Sequence, residues 1–146
     1  MSGRSAFWIG VVLVAAAAAL AGIAATGDSV TVDEPSHLVA GYSSLVSGDF
    51  RLSPDHPPLA RWLLALPLLS QPVVWKPEGT LAWRSGDFLS LGRIFLEEWN
   101  DGQRLTSVSR IVAIGFLLLL LITVGVLARK LHGPGGALLT MAVVAF

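Results

Sequence analysis

Hydrophobic and polar positions alternate along this chain in blocks rather than residue by residue. Residues 6–25, AFWIGVVLVAAAAALAGIAA, carry no charge. A helix of that length, at 1.5 Å per residue, crosses a hydrocarbon core of about 30 Å. Residues 111–128, IVAIGFLLLLLITVGVLA, form a second uncharged run near the lower length limit for a span. A third begins at Gly136 and reaches Phe146, too short to cross. The pattern predicts an all-α integral membrane protein, one membrane domain with two complete transmembrane helices and part of a third. Residues 26–109 form a long outer loop between the first two spans.

Shorter periodicities organise that loop. Asp33 is placed to cap a helix whose first turn holds Glu34 and Pro35, both suited to that turn. Leu38, Tyr42 and Leu45 then share a face, and Gly48 ends the helix. RLSPDHPP reads as an extended connector, because residues before proline avoid the helical region. Pro58 to Leu69 reads as a short apolar helix lying in the interface or against other helices. SQPVVWKPEGT is a second connector. Ser85 to Trp99 reads as an amphipathic helix with Phe88, Leu89, Ile94, Phe95 and Leu96 on its apolar side. Trp62, Trp75, Trp83 and Trp99 suit a membrane–water boundary.

Composition sharpens this picture. The 146 residues are 53% hydrophobic and 14% charged, outside the range of an ordinary soluble domain. With no cysteine, disulfides and thiolate metal sites are excluded. A net charge of zero argues against a nucleic-acid partner. Every acid lies between Asp28 and Asp101, and the charges outside that window are basic, Arg4, Arg110, Arg129 and Lys130 among them. Arg4 precedes the first span and Arg129–Lys130 follow the second. The positive-inside rule then puts both ends in the cytoplasm and the loop outside. A rival reading makes MSGR and the first run a cleaved signal peptide; the run is long for one.

The loop also carries the candidate chemistry. A carboxylate at the outer membrane surface, Asp33 or Glu34, can take a proton from a hydroxyl nucleophile or hold a divalent cation. The plainer alternative is a helix start. His37, four residues after Asp33, shares its helical face and can orient it, bind a phosphate when protonated, or fill space. In DHPPLAR, two prolines hold Asp55 and His56 with little entropy left to lose, though a structural turn explains the prolines equally well. Arg61 can reach a lipid phosphate or snorkel without a specific ligand.

Taken together, DEPSHLVAGYSSLVSGDF, DHPPLARWLLALPLL and SRIVAIGFLLLLLITVGVLARKLHGPGGALL resemble, in order, the N-terminal part of bacterial lipid-carrier-dependent glycosyltransferases of the GT-C class. These are relatives of protein O-mannosyltransferases and aminoarabinose transferases. The resemblance covers essentially all 146 residues and implies a truncated GT-C-type fold in the bacterial inner membrane, its outer loop periplasmic. It implies transfer of a sugar from a polyprenyl-phosphate carrier to a lipid, glycan or protein acceptor. By matching position Asp33 is the catalytic carboxylate and Glu34 supports the acceptor site. Asp55 helps form that site, or a metal site in members that use a divalent ion. His56 faces the carrier phosphate. Arg61 and His37 are substrate-binding candidates by their own chemistry, and the resemblance gives His37 no firm role. Full members have more spans, so the chain is expected to be inactive alone. Two other expectations stand beside this one. The first is a non-catalytic membrane or accessory protein whose loop packs on partner helices. The second is a once-anchored binding module, if the first run is cleaved.

Overall fold

The computed structural model describes residues 3–54 and 56–146 and is helical throughout, with no strand among the described residues. Asp55 lies outside the described residues. The helices are α1 (Gly3–Gly27), α2 (Glu34–Ser47), α3 (Pro58–Ala65), α4 (Leu81–Ser85), α5 (Phe88–Arg93) and α6 (Gly102–Ala145). Two of them, α1 and α6, are long and apolar enough to cross a membrane. The chain divides into two compact units, residues 1–24 with 113–146, and residues 25–112.

In the first unit the apolar runs are helical as the hydropathy pattern requires. The third run is helical too: the range Gly102–Ala145 joins two helices across a kink at Gly133, whose φ of 71° and ψ of −172° are non-helical. That left-handed φ suits glycine, and Pro134 behind it cannot donate to the preceding turn. A straight helix would separate Gly125 from Met141 by about 24 Å at 1.5 Å per residue. Instead, a Cβ built on Gly125 would lie 2.6 Å from the Met141 sulfur. The chain therefore reverses at Gly133 and the last turns pack back on their own helix.

The second unit holds the segment between the first two apolar runs, and it is a folded helical cluster. Its core holds Leu38, Val39, Tyr42, Leu52, Leu68, Leu91, Phe95, Leu96 and Leu105. Leu38, Tyr42 and Leu45 of α2 face this core as their spacing predicts. Gly48 ends α2 with a φ of 66°. Asp33, however, does not cap α2: its own backbone is helical and its side chain accepts no bond there. Glu34 does related work, accepting from the Thr31 N–H at 2.8 Å.

Helices in this unit cross at backbone distance. A Cβ on Gly41 would run into the Arg61 carbonyl of α3, and one on Gly92 would sit 2.6 Å from the Pro35 carbonyl carbon. The α3 helix stops sooner than the apolar pattern suggests. Pro67 has no N–H to continue the α ladder, and a 3₁₀ turn covers Leu66–Ser70. The amphipathic helix expected from Ser85 to Trp99 is two elements. Gly86, at φ 73°, ends α4, which Thr80 caps from within the expected connector. Asp87 then caps α5 by accepting from the Ser90 N–H at 3.0 Å. A π-type turn, Ile94–Glu98, follows. That register buries Leu91, Phe95 and Leu96 but leaves Leu89 exposed, against the expected apolar side. Asn100 bonds both backbone groups of Val74 and so ties the connector down. The α6 helix starts nine residues before the second apolar run, and its first turns bury Leu105, Thr106 and Ser109 in this unit.

Candidate functional site

The candidate residues sit at the start of α2 and at the junction that leads into α3. Two neighbouring acids there have different surroundings. Glu34 is committed. Arg110 grips it with both arms of its guanidinium, Nε to Oε1 at 2.7 Å and Nη2 to Oε2 at 2.8 Å. The same Arg110 donates to the carbonyls of Ala25, Asp28 and Ser29 at 3.1, 2.9 and 2.9 Å. One guanidinium therefore pins residues 25–29 to the first turn of α2. Burial works to raise the Glu34 carboxyl, but the bonds from Arg110 and Thr31 outweigh it and hold the pKa below its usual 4.5.

Asp33 is exposed and its carboxylate accepts no hydrogen bond among the described residues. Its carbonyl is used, by the His37 N–H at 3.2 Å and the Ser36 hydroxyl at 2.7 Å. The Asp33–His37 backbone bond is an i to i+4 helical bond, so the two side chains share one face.

Next to them lies a side-chain cluster built around Arg61. This arginine is 6% exposed, so it neither snorkels nor reaches outward. Its Nη1 donates to the Ser53 carbonyl at 2.8 Å and its Nη2 to the Ser53 hydroxyl at 2.7 Å. Its Nε donates to His37 Nδ1 at 3.2 Å. Ser53 holds a left-handed backbone, φ 56°, unusual for a residue with a Cβ. Its hydroxyl also lies 3.4 Å from His56 Nδ1. The His37 and His56 rings meet edge to face with centroids 5.9 Å apart. Beside this cluster is a small cavity of about 130 Å³, lined in part by Ser44, Phe50, Ser53, His56 and Arg61. His37 is harder to protonate than a free histidine. Burial is the largest cause, the charges of Arg61 and His56 add to it, and Asp33 opposes.

The structure thus brings Asp33, His37, His56 and Arg61 into one neighbourhood and turns Glu34 toward Arg110. Arg110 was the functional-looking residue that sequence spacing missed, because its partner lies 76 positions away. Ser53 gave no sequence signal beyond its place before Pro54. Among the described residues no three His, Asp or Glu side chains converge as a metal site. What the arrangement offers chemically is an exposed carboxylate, available to a proton, beside buried and half-buried nitrogen donors. Compared with protein-family models, curated proteins and solved structures, the chain matches none.

Proposed function

We propose that the chain is the N-terminal part of a membrane glycosyltransferase that uses a sugar on a polyprenyl-phosphate carrier. Arg4 before the first span and Arg129–Lys130 after the second favour an outer, periplasmic position for residues 26–109 in a bacterial inner membrane. In the reaction, the acceptor hydroxyl oxygen forms a bond to the sugar's anomeric carbon as the bond from that carbon to the carrier phosphate oxygen breaks. The pair of electrons leaves with the polyprenyl phosphate, the anomeric configuration inverts, and Asp33 takes the hydroxyl proton. In this reading His56 is the donor that meets charge developing on the leaving phosphate. The acceptor is a lipid, glycan or protein hydroxyl.

The observation that carries this reading is the contrast between the two adjacent acids. Glu34 is neutralised and tied by Arg110, whereas Asp33 stands exposed, its carboxylate unengaged among the described residues, beside the His37–Arg61–His56 cluster. A pure helix-start role would have Asp33 accept from the α2 N–H groups, which it does not. The test is Asp33→Asn, made in the natural gene and assayed in native membranes with a radiolabelled polyprenyl-phosphate sugar. General-base catalysis is worth about 10²–10⁴-fold, so transfer should fall by at least 100-fold. A variant within a few-fold of the parent removes Asp33 as the base.

A further inference from the structure

His37 has two ring nitrogens, and the fold has settled what one of them does. Arg61 Nε always carries a hydrogen, so at 3.2 Å it can only donate, and His37 Nδ1 must accept. The ring is then neutral with its proton on Nε2. Protonating Nδ1 would set two N–H groups against each other and add charge beside a buried guanidinium. Of the groups facing the ring, Arg61 from α3 and His56 from the connector favour the neutral state, and Asp33 on its own helix opposes them. Arg61 itself has no freedom to turn away, because its other two nitrogens hold the carbonyl and hydroxyl of left-handed Ser53. No hydrogen bond among the described residues uses Nε2. One helical turn earlier, on the same face, is the Asp33 carboxylate, also without a bond among the described residues.

We propose that His37 is a positioning residue: Arg61 locks it as the neutral Nε2–H form, and in the substrate complex that N–H donates to one oxygen of Asp33. The other carboxylate oxygen then points at the acceptor hydroxyl. This deepens the glycosyltransferase reading and rests on it, since only a working base needs orienting. The arrangement inverts the usual order, in which a carboxylate fixes a histidine's tautomer; here an arginine fixes the histidine and the histidine fixes the carboxylate. Arg61 acts two bonds away from the chemistry and touches neither substrate.

Two measurements test it, the first on the chain in lipid nanodiscs and the second in native membranes expressing the natural gene. The first is the tautomer, read from two-bond ¹⁵N–¹³C couplings of ¹⁵N-histidine-labelled protein, with His37 assigned by its absence in His37→Gln. A protonated Nε2 and an unprotonated Nδ1 at pH 6.5 are expected, with Arg61→Met giving a mixture of tautomers. A protonated Nδ1 in the parent overturns the proposal, and the parent spectrum decides this even if Arg61→Met does not fold. The second is sugar transfer. Glutamine places an N–H near the position of Nε2 and does not titrate, so His37→Gln should keep transfer within about 3-fold at pH 7.5, while His37→Ala loses 10-fold or more. Equal losses in the two variants overturn the role in positioning. If Asp33→Asn abolishes transfer and His37→Ala does not, this inference alone fails. If Asp33→Asn leaves transfer intact, the glycosyltransferase reading fails with it, whatever the tautomer.

Discussion

Replacing Arg110 by methionine removes a side chain that makes five hydrogen bonds within the second unit. Its guanidinium makes two bonds to Glu34 at 2.7 and 2.8 Å and three to the carbonyls of Ala25, Asp28 and Ser29 at 2.9–3.1 Å. A hydrogen bond to a charged group contributes about 1.5–3 kcal/mol net, which summed naively would be far too much. The partners are partly wet, with side-chain exposures of 15% for Arg110 and 26% for Glu34. Released carbonyls and the released carboxylate would therefore rehydrate, and the screened pair contributes less than a buried one. A total of about 3 kcal/mol is the defensible magnitude, with methionine keeping the stem's packing. At 1.36 kcal/mol per tenfold, that opens residues 25–36 roughly 100-fold more often. Hydrogen–deuterium exchange by mass spectrometry reads this directly in peptides spanning the Thr31 and His37 amides, whose bonds go to Glu34 and to the Asp33 carbonyl. Arg110→Lys keeps the charge but not the fork and should fall between, at about 10-fold. Acid should mimic the methionine variant. Glu34 has a lowered pKa in the fold, so its contribution is complete above 4.5 and is lost as pH falls through the lower folded value. Unchanged exchange in this segment for a folded Arg110→Met protein would refute the clamp.

Further predictions concern the neighbouring elements. Gly41→Ala and Gly92→Ala push a methyl into the Arg61 and Pro35 backbones, and each should cost about 1–3 kcal/mol, seen as a lower Tm in detergent; an unchanged Tm would mean the helices do not cross so closely. Ser53→Gly loses the hydroxyl bond to Arg61 but relieves the left-handed backbone, whereas Ser53→Ala loses the bond and keeps the strain. The glycine variant should be the more stable by about 1 kcal/mol in chemical unfolding, and the reverse order would argue against strain at φ 56°. His37 titrates below its usual 6.5 in the fold, so its stabilisation is complete above 6.5 and declines as pH drops through the folded value. Parent Tm should fall between pH 7 and 5, and the fall should be smaller in His37→Gln; identical pH profiles would count against the buried neutral ring.

The parts of this molecule that a reader of the sequence could see were those with a strong local cause. The apolar runs of α1 and α6 needed only length and hydropathy. The α2 helix announced itself through Pro35 in its first turn and Gly48 past its end. Where the cause was distant, local signals misled. Asp33 had the right type for a cap, yet Glu34 and Thr31 close that turn. Residues 85–99 had helical periodicity, but Gly86 and the Asp87 cap split them, and the new register turned Leu89 outward. Arg61 looked like a surface arginine because its acceptors, Ser53 and His37, are 8 and 24 residues away and nothing local points to them. The acids and histidines of the candidate site were legible as residue types. That one acid would be tied up and its neighbour left open was not, because the tie comes from Arg110 across 76 residues.

Trp75 stands edge-on to Trp83 and Trp99, at 90° and 81° with centroids 5.8 and 6.3 Å apart, and it also meets Tyr42 and Phe95. Indole transitions this near and this crossed couple strongly, so the unit of residues 25–112 carries its own optical signature. Its near-ultraviolet circular dichroism should be intense for so small a domain and should vanish when the cluster disperses. Because three elements and a connector each supply a ring, any loosening of one would show in that band before the helical signal falls.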